Sequence, residues 1–96
     1  MLKESIPENY GMFFVWPYEK KQCMWMKDTY VSLSVAYIDR KGKILEIYDM
    51  VPFSKDSVCS TKAAKYALEV NSGWFEEKNI NIGDSIEIKK ILSNDK

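Results

Sequence analysis

Histidine is absent from the 96 residues. That removes histidine-based catalytic triads, the usual proton shuttle near neutral pH and the commonest metal ligand. Glycine is sparse. Its four residues stand at 11, 42, 73 and 83, too scattered for a loop that cradles phosphate. Cysteine occurs twice, at 23 and 59, with no Cys-x-x-Cys pair, so neither a zinc ribbon nor a paired redox motif is available. Two separate thiols are the simpler expectation, and a single Cys23–Cys59 disulfide is the alternative. Net charge is missing too. Fourteen lysines and arginines oppose 14 aspartates and glutamates, so there is no basic stripe and nucleic acid is not an expected partner. No window approaches the length of a membrane-spanning helix, and the opening M-L-K-E-S-I-P-E-N lacks the apolar core of a signal peptide. The expectation is a cytoplasmic chain with no membrane partner and no cofactor, unless a leader was removed beforehand.

What is present is apolar and aromatic. Hydrophobic residues make up 46% of the chain and aromatics 14%, a composition that folds rather than stays disordered. A chain of this length buries about 65% of its unfolded surface, enough for one core, so residues 1–96 read as one domain.

The densest stretch is Cys23 to Asp39. Residues 23–29 alternate, with Cys23, Trp25, Lys27 and Thr29 on one face and Met24, Met26 and Asp28 on the other. Tyr30 to Ser32 reads as a bend. Leu33 to Ile38 is apolar on both faces and reads as a central strand. Asp39-Arg40-Lys41-Gly42 reads as a hairpin turn with Gly42 at positive φ, and Lys43 to Met50 as the return strand. Upstream, residues 1–10 read as a polar lead-in. M-F-F-V-W (12–16) reads as a buried strand stopped by Pro17, and 17–22 as a charged turn. Downstream, 54–62 reads as a polar loop. Residues 63–70 favour helix by propensity and strand by alternation, and strand is preferred. Asn71 or Ser72 is the expected cap of a short helix over Trp74 to Lys78. A turn over Asn79 to Asp84 and a last strand over Ser85 to Leu92 complete the chain. Many short strands with one small helix predict an all-β (mainly β) fold, a compact sandwich or barrel.

G-M-F-F-V-W-P (11–17), W-M-K-D-T (25–29), D-R-K-G-K-I (39–44), Y-A-L-E-V-N-S-G-W (66–74) and I-G-D (82–84) follow in this order. Together they resemble the bacterial and archaeal family known as domain of unknown function 192, over about Leu2 to Ile88. The resemblance implies a jelly-roll-like sandwich with a short helix near the C-terminal end. It implies no activity. Family members usually carry asparagine at the position of Asp28, and proline and aspartate at those of Ser32 and Ser34. They also tend to have an extra strand before the segment matching Leu2–Ser5. Its absence here would leave a sheet edge open, which a second copy or a partner strand would cover, giving a homodimer or a complex.

The candidate site residues each have a plainer explanation. Trp25, Lys27 and Thr29, with Asp28 beside them, suit a groove for a carboxylate-bearing ligand. They equally suit a core tryptophan with a lysine reaching to solvent. Lys27 and Glu69 are the most enclosed charges. They form a structural ion pair, or Lys27 is a desolvated base or anion anchor set by Glu69. Trp16, Tyr18, Tyr30 and Trp74 form a partner-binding patch, or ordinary core. Asp39, Asp49, Asp56 and Asp84 lack calcium-loop spacing and read as turn residues. The leading expectation is a small non-enzymatic module that binds a protein or small molecule. The alternatives are an enzyme, or a saccharide binder, with a pocket around Trp25, Lys27 and Glu69.

Overall fold

The computed structural model describes residues 11–26 and 30–86. The hairpin organises them. β3 (Leu33–Ile38) is buried at every position, as its two-faced apolar sequence requires. At its end Asp39 Oδ1 accepts the backbone N–H groups of Lys41 and Lys43 at 2.9 Å each. Gly42 takes φ 94°, and β4 (Ile44–Met50) returns antiparallel to β3. β6 (Ala64–Asn71) pairs with the other side of β3, and β1 (Gly11–Lys20) pairs with β6. The order is β1-β6-β3-β4, antiparallel throughout. Strand wins over helix in residues 64–71 because the segment lies between two strands that both take its ladder groups.

The sheet is covered on both faces. One face carries Leu33, Val35, Tyr37, Met50 and Ala67, packed with Met24 and Met26. Above it lies a two-stranded ladder of β2 (Cys23–Met24) and β5 (Val58–Cys59). The buried Tyr37 hydroxyl donates to the Val58 carbonyl and ties β5 to the sheet. The opposite face carries Ala36, Ile38, Ile44 and Val70, covered by α1 (Trp74–Glu77) through Phe75 and by Ile80 and Ile86. The fold is all-β with one short helix.

Several expectations change. The apolar run in β1 is a half-exposed edge rather than a buried strand, with Val15 52% exposed. Among the described residues it pairs on one side only, and that edge position also tolerates Pro17, so the strand runs on to Lys20. The loop over 54–62 contains β5. Neither Asn71 nor Ser72 caps the helix. Gly73, in the left-handed region, holds that place with no side-chain cap bond. The helix ends as expected for an αL stop, with Asn79 at φ 57° and its N–H on the Glu76 carbonyl. The cysteines are not separate thiols. Cys23 and Cys59 sit opposite one another in the β2–β5 ladder and form a disulfide, a register that no local pattern could reveal. Residues 1–10, the 27–29 part of the central alternation and the 87–92 part of the last strand lie outside the described residues.

Candidate functional site

Alternation in the central stretch survives into the structure. Met24 and Met26 are buried, while Cys23 and Trp25 are exposed. Trp25 is 56% exposed, and its indole N–H donates to Ser57 Oγ on the loop before β5. The disulfide joins the residues two positions before Trp25 and two after Ser57. This loop is therefore held to the Trp25 strand twice.

The same loop begins with a turn. Ser54 N–H bonds the Val51 carbonyl at 3.3 Å, with Pro52 and Phe53 between them. Phe53 has φ 61°. Proline followed by a positive-φ residue is the layout of a type II turn, whose third position favours glycine. A phenylalanine there costs about 1–2 kcal/mol. Its ring is 53% exposed and meets Tyr30, itself 50% exposed, edge to face at 5.0 Å. Val51 is exposed beside them. Exposed aromatic rings thus stand at both ends of the 51–57 loop, Tyr30 and Phe53 near its start and Trp25 near its end.

At the other end of that loop, Glu46 is a structural centre. Its carboxylate accepts the N–H groups of Thr61 and Lys62 at 2.9 Å and the hydroxyl of Tyr48. Burial pushes its pKa up, but the Tyr48 hydroxyl and the two N–H donors outweigh this, so it titrates below its ordinary value. Tyr48 in turn is raised, first by its bond to Glu46. Tyr37 is raised further, mainly by burial and then by Glu46, Tyr48 and Glu69.

Glu69 is fully buried in β6. Its register partner Val35 places it on the face beneath the β2–β5 ladder. Lys27, Asp28 and Thr29 lie outside the described residues, so the pairing of Lys27 with Glu69 is not described. The aromatic set divides. Trp16 packs on the face beneath the ladder and Trp74 on the helix face, while Tyr18 stands exposed at the edge. Trp16, Tyr18, Tyr30 and Trp74 are not one patch. The sequence reading missed Phe53, because only Pro52 signals a turn there and a type II turn calls for glycine or asparagine at the position that Phe53 holds.

A cavity lies on the helix face. It has a volume of about 410 Å³ and is lined by Ser34, Ile47, Asp49, Phe75, Glu76 and neighbours. Ser34, where the resembling family usually has aspartate, donates its hydroxyl to Asp49 Oδ1 at 2.9 Å. Asp49 is therefore cross-strand paired, while Asp39, Asp56 and Asp84 occupy turns. No three metal-ligating side chains converge among the described residues. No helix among them is long and apolar enough to cross a membrane.

These features define a small antiparallel β domain with a helix on one face and a disulfide-clasped loop on the other. The profile of domain of unknown function 192, described as an uncharacterized ACR, matches residues 1–88, and the chain belongs to that family. Two solved structures share the fold. One is described as a candidate transcription regulator from Sinorhizobium meliloti, at 31% identity and a TM-score of 0.86, covering 91% of this chain and 68% of that one. The other is a protein of unknown function from Novosphingobium aromaticivorans, at 22% identity and a TM-score of 0.85. The match covers 91% of this chain but only 63% of that protein. No curated protein matches the chain.

Proposed function

We propose that this domain is a protein-interaction module whose contact face is the aromatic group on the 51–57 loop: Trp25, Tyr30 and Phe53, with Val51. The observation that carries this reading is Phe53. An aromatic residue held at a glycine-favoured position, with half its surface in water, gains little for the fold. Trp and Tyr rings fixed by neighbours are the residues that anchor protein interfaces, and the Ser57 bond fixes Trp25 in this way. Three comparisons favour a protein over the other occupants. Tyr30 and Phe53 meet at 80°, which is no coplanar platform for a sugar ring. The cavity has neither Glu69 nor Trp25 in its wall, which weakens the enzyme reading. Balanced charge disfavours nucleic acid, so a regulatory role like that given to the Sinorhizobium relative would act through protein contacts.

The test is a photo-crosslinking amino acid at position 30 or 53, expressed in the source cells. One discrete adduct is expected, lost on Trp25→Ala and absent when the probe stands at Ile82 on the opposite face. Equal adducts from both faces would sink the reading. A second copy of the chain is the other partner to consider, because β1 pairs on one side only among the described residues. Light scattering over a dilution series separates it: a persistent dimer supports edge pairing, and a monomer at all concentrations removes it.

A further inference from the structure

The cavity on the helix face is a second, separate feature. Ser34 and Asp49 face each other across β3 and β4. Ser34 shares its face with its other register partner Val70, which belongs to the core under α1. The opening is therefore on the far side of the sheet from Trp25.

Its wall has two parts. Ile47, Phe75 and Ile82 supply hydrocarbon, and Asp49, Glu76 and Asn81 supply polar groups. Both charged side chains in the described wall are carboxylates, and no lysine or arginine is among them. Asp49 is also oriented. The buried Ser34 hydroxyl holds its Oδ1, and its Oδ2 accepts no bond from a described residue. The opening, of about 410 Å³, is a groove with an apolar floor at the buried Phe75 and a solvent-exposed rim at Asp49, Glu76, Asn81 and Ile82, so hydrocarbon and a few placed polar groups lie side by side in it. Two carboxylates and no cation select the sign of the guest.

We propose that this cavity binds a small organic ammonium ion with an aliphatic body. The ammonium group sits against Asp49 and Glu76, and the hydrocarbon lies along Ile47 and Phe75. A carboxylate-bearing ligand of the same shape is repelled by the same pair. An uncharged analogue keeps only the apolar part of the contact. The site is independent of the aromatic face, so either proposal can fail alone.

The test uses the whole 96-residue protein, isotopically labelled, titrated at low ionic strength with n-hexylammonium, 1-hexanol and hexanoate in parallel. Saturable shifts of the Ile47, Phe75 and Asn81 amides are expected with hexylammonium. Hexanol should bind about tenfold more weakly, and hexanoate not at all. Asp49→Asn and Glu76→Gln should each weaken hexylammonium several-fold while the rest of the spectrum is unchanged. Because Asp49→Asn also alters the Ser34 bond, Glu76→Gln keeps the charge argument testable by itself. Equal affinity for all three probes, no saturation with hexylammonium, or unchanged affinity in Glu76→Gln would overturn the proposal.

Discussion

Cys23 and Cys59 face each other across a ladder only two residues long, with Cα atoms 4.0 Å apart and their sulfurs joined. The bond closes a loop between residues 36 apart in sequence. It clamps the segment that carries Phe53 and Ser57 onto the strand that carries Trp25. The flanking bonds between Gln22 and Ser60, at 3.0 and 2.8 Å, extend the clasp by one residue on each strand.

Removing that bond should cost about 4 kcal/mol, the chain-entropy value for a loop of this length. Cys23→Ser with Cys59→Ser, or treatment with a phosphine reductant, should lower the melting temperature by comparable amounts. The indole emission should shift as Trp25 is released from Ser57. Identical melting curves with and without reductant would show that the clasp contributes nothing.

Phe53→Gly should separate folding from binding. The substitution relieves about 1–2 kcal/mol of backbone strain. It forfeits an aromatic contact of about 1 kcal/mol and adds a similar amount of unfolded-chain entropy. Stability in urea should therefore stay within about 1 kcal/mol of the parent, while the crosslinked adduct from position 30 disappears. A large loss of stability would mean that Phe53 serves the fold.

Glu46 should make stability fall in acid. Its folded pKa lies below its ordinary value of 4.5, so it contributes stability above that value, lost as pH falls through the folded pKa. Urea midpoints measured between pH 7 and pH 3 should drop for the parent and drop less for Glu46→Gln. Glu46→Ala removes the acceptor of the Thr61 and Lys62 N–H groups and should cost roughly 1–2 kcal/mol at neutral pH, because both residues are exposed and water replaces part of the bonding. A parent and a Glu46→Gln variant with parallel pH profiles would contradict this.

Gly11→Ala should destabilise by about 1–2 kcal/mol. A Cβ at this position meets the Glu69 carbonyl oxygen and Val70 Cγ1 at 2.8 Å each. The first is backbone of a central strand and cannot yield cheaply. Thermal unfolding of the variant checks it, and an unchanged midpoint would show that the start of β1 shifts freely.

Much of this was legible in the chain. The hairpin at Asp39–Gly42 was, because its turn chemistry and both flanking apolar patterns are local. So was the division of Met24 and Met26 from Cys23 and Trp25 onto opposite faces, because alternation of period two is local, although which face turned inward was not. The aromatic face was half legible. Trp25 and Tyr30 stood out as candidates, yet nothing nearby said that Trp25 would be exposed, and Phe53 passed unnoticed. The buried reading of β1 failed because an edge strand and a central strand can share one composition.

The amino-acid sequence by itself determined the class of this domain. Period-two alternation, turn residues and the absence of histidine act over a few neighbours and need no fold to be read. Tertiary structure alone decided which strands lie at the edge, which carboxylate meets which hydroxyl, and that the two cysteines meet. Each of these depends on register between strands far apart in the chain. A shift of one residue in β2 against β5 would leave the local pattern of both segments unchanged and would part Cys23 from Cys59.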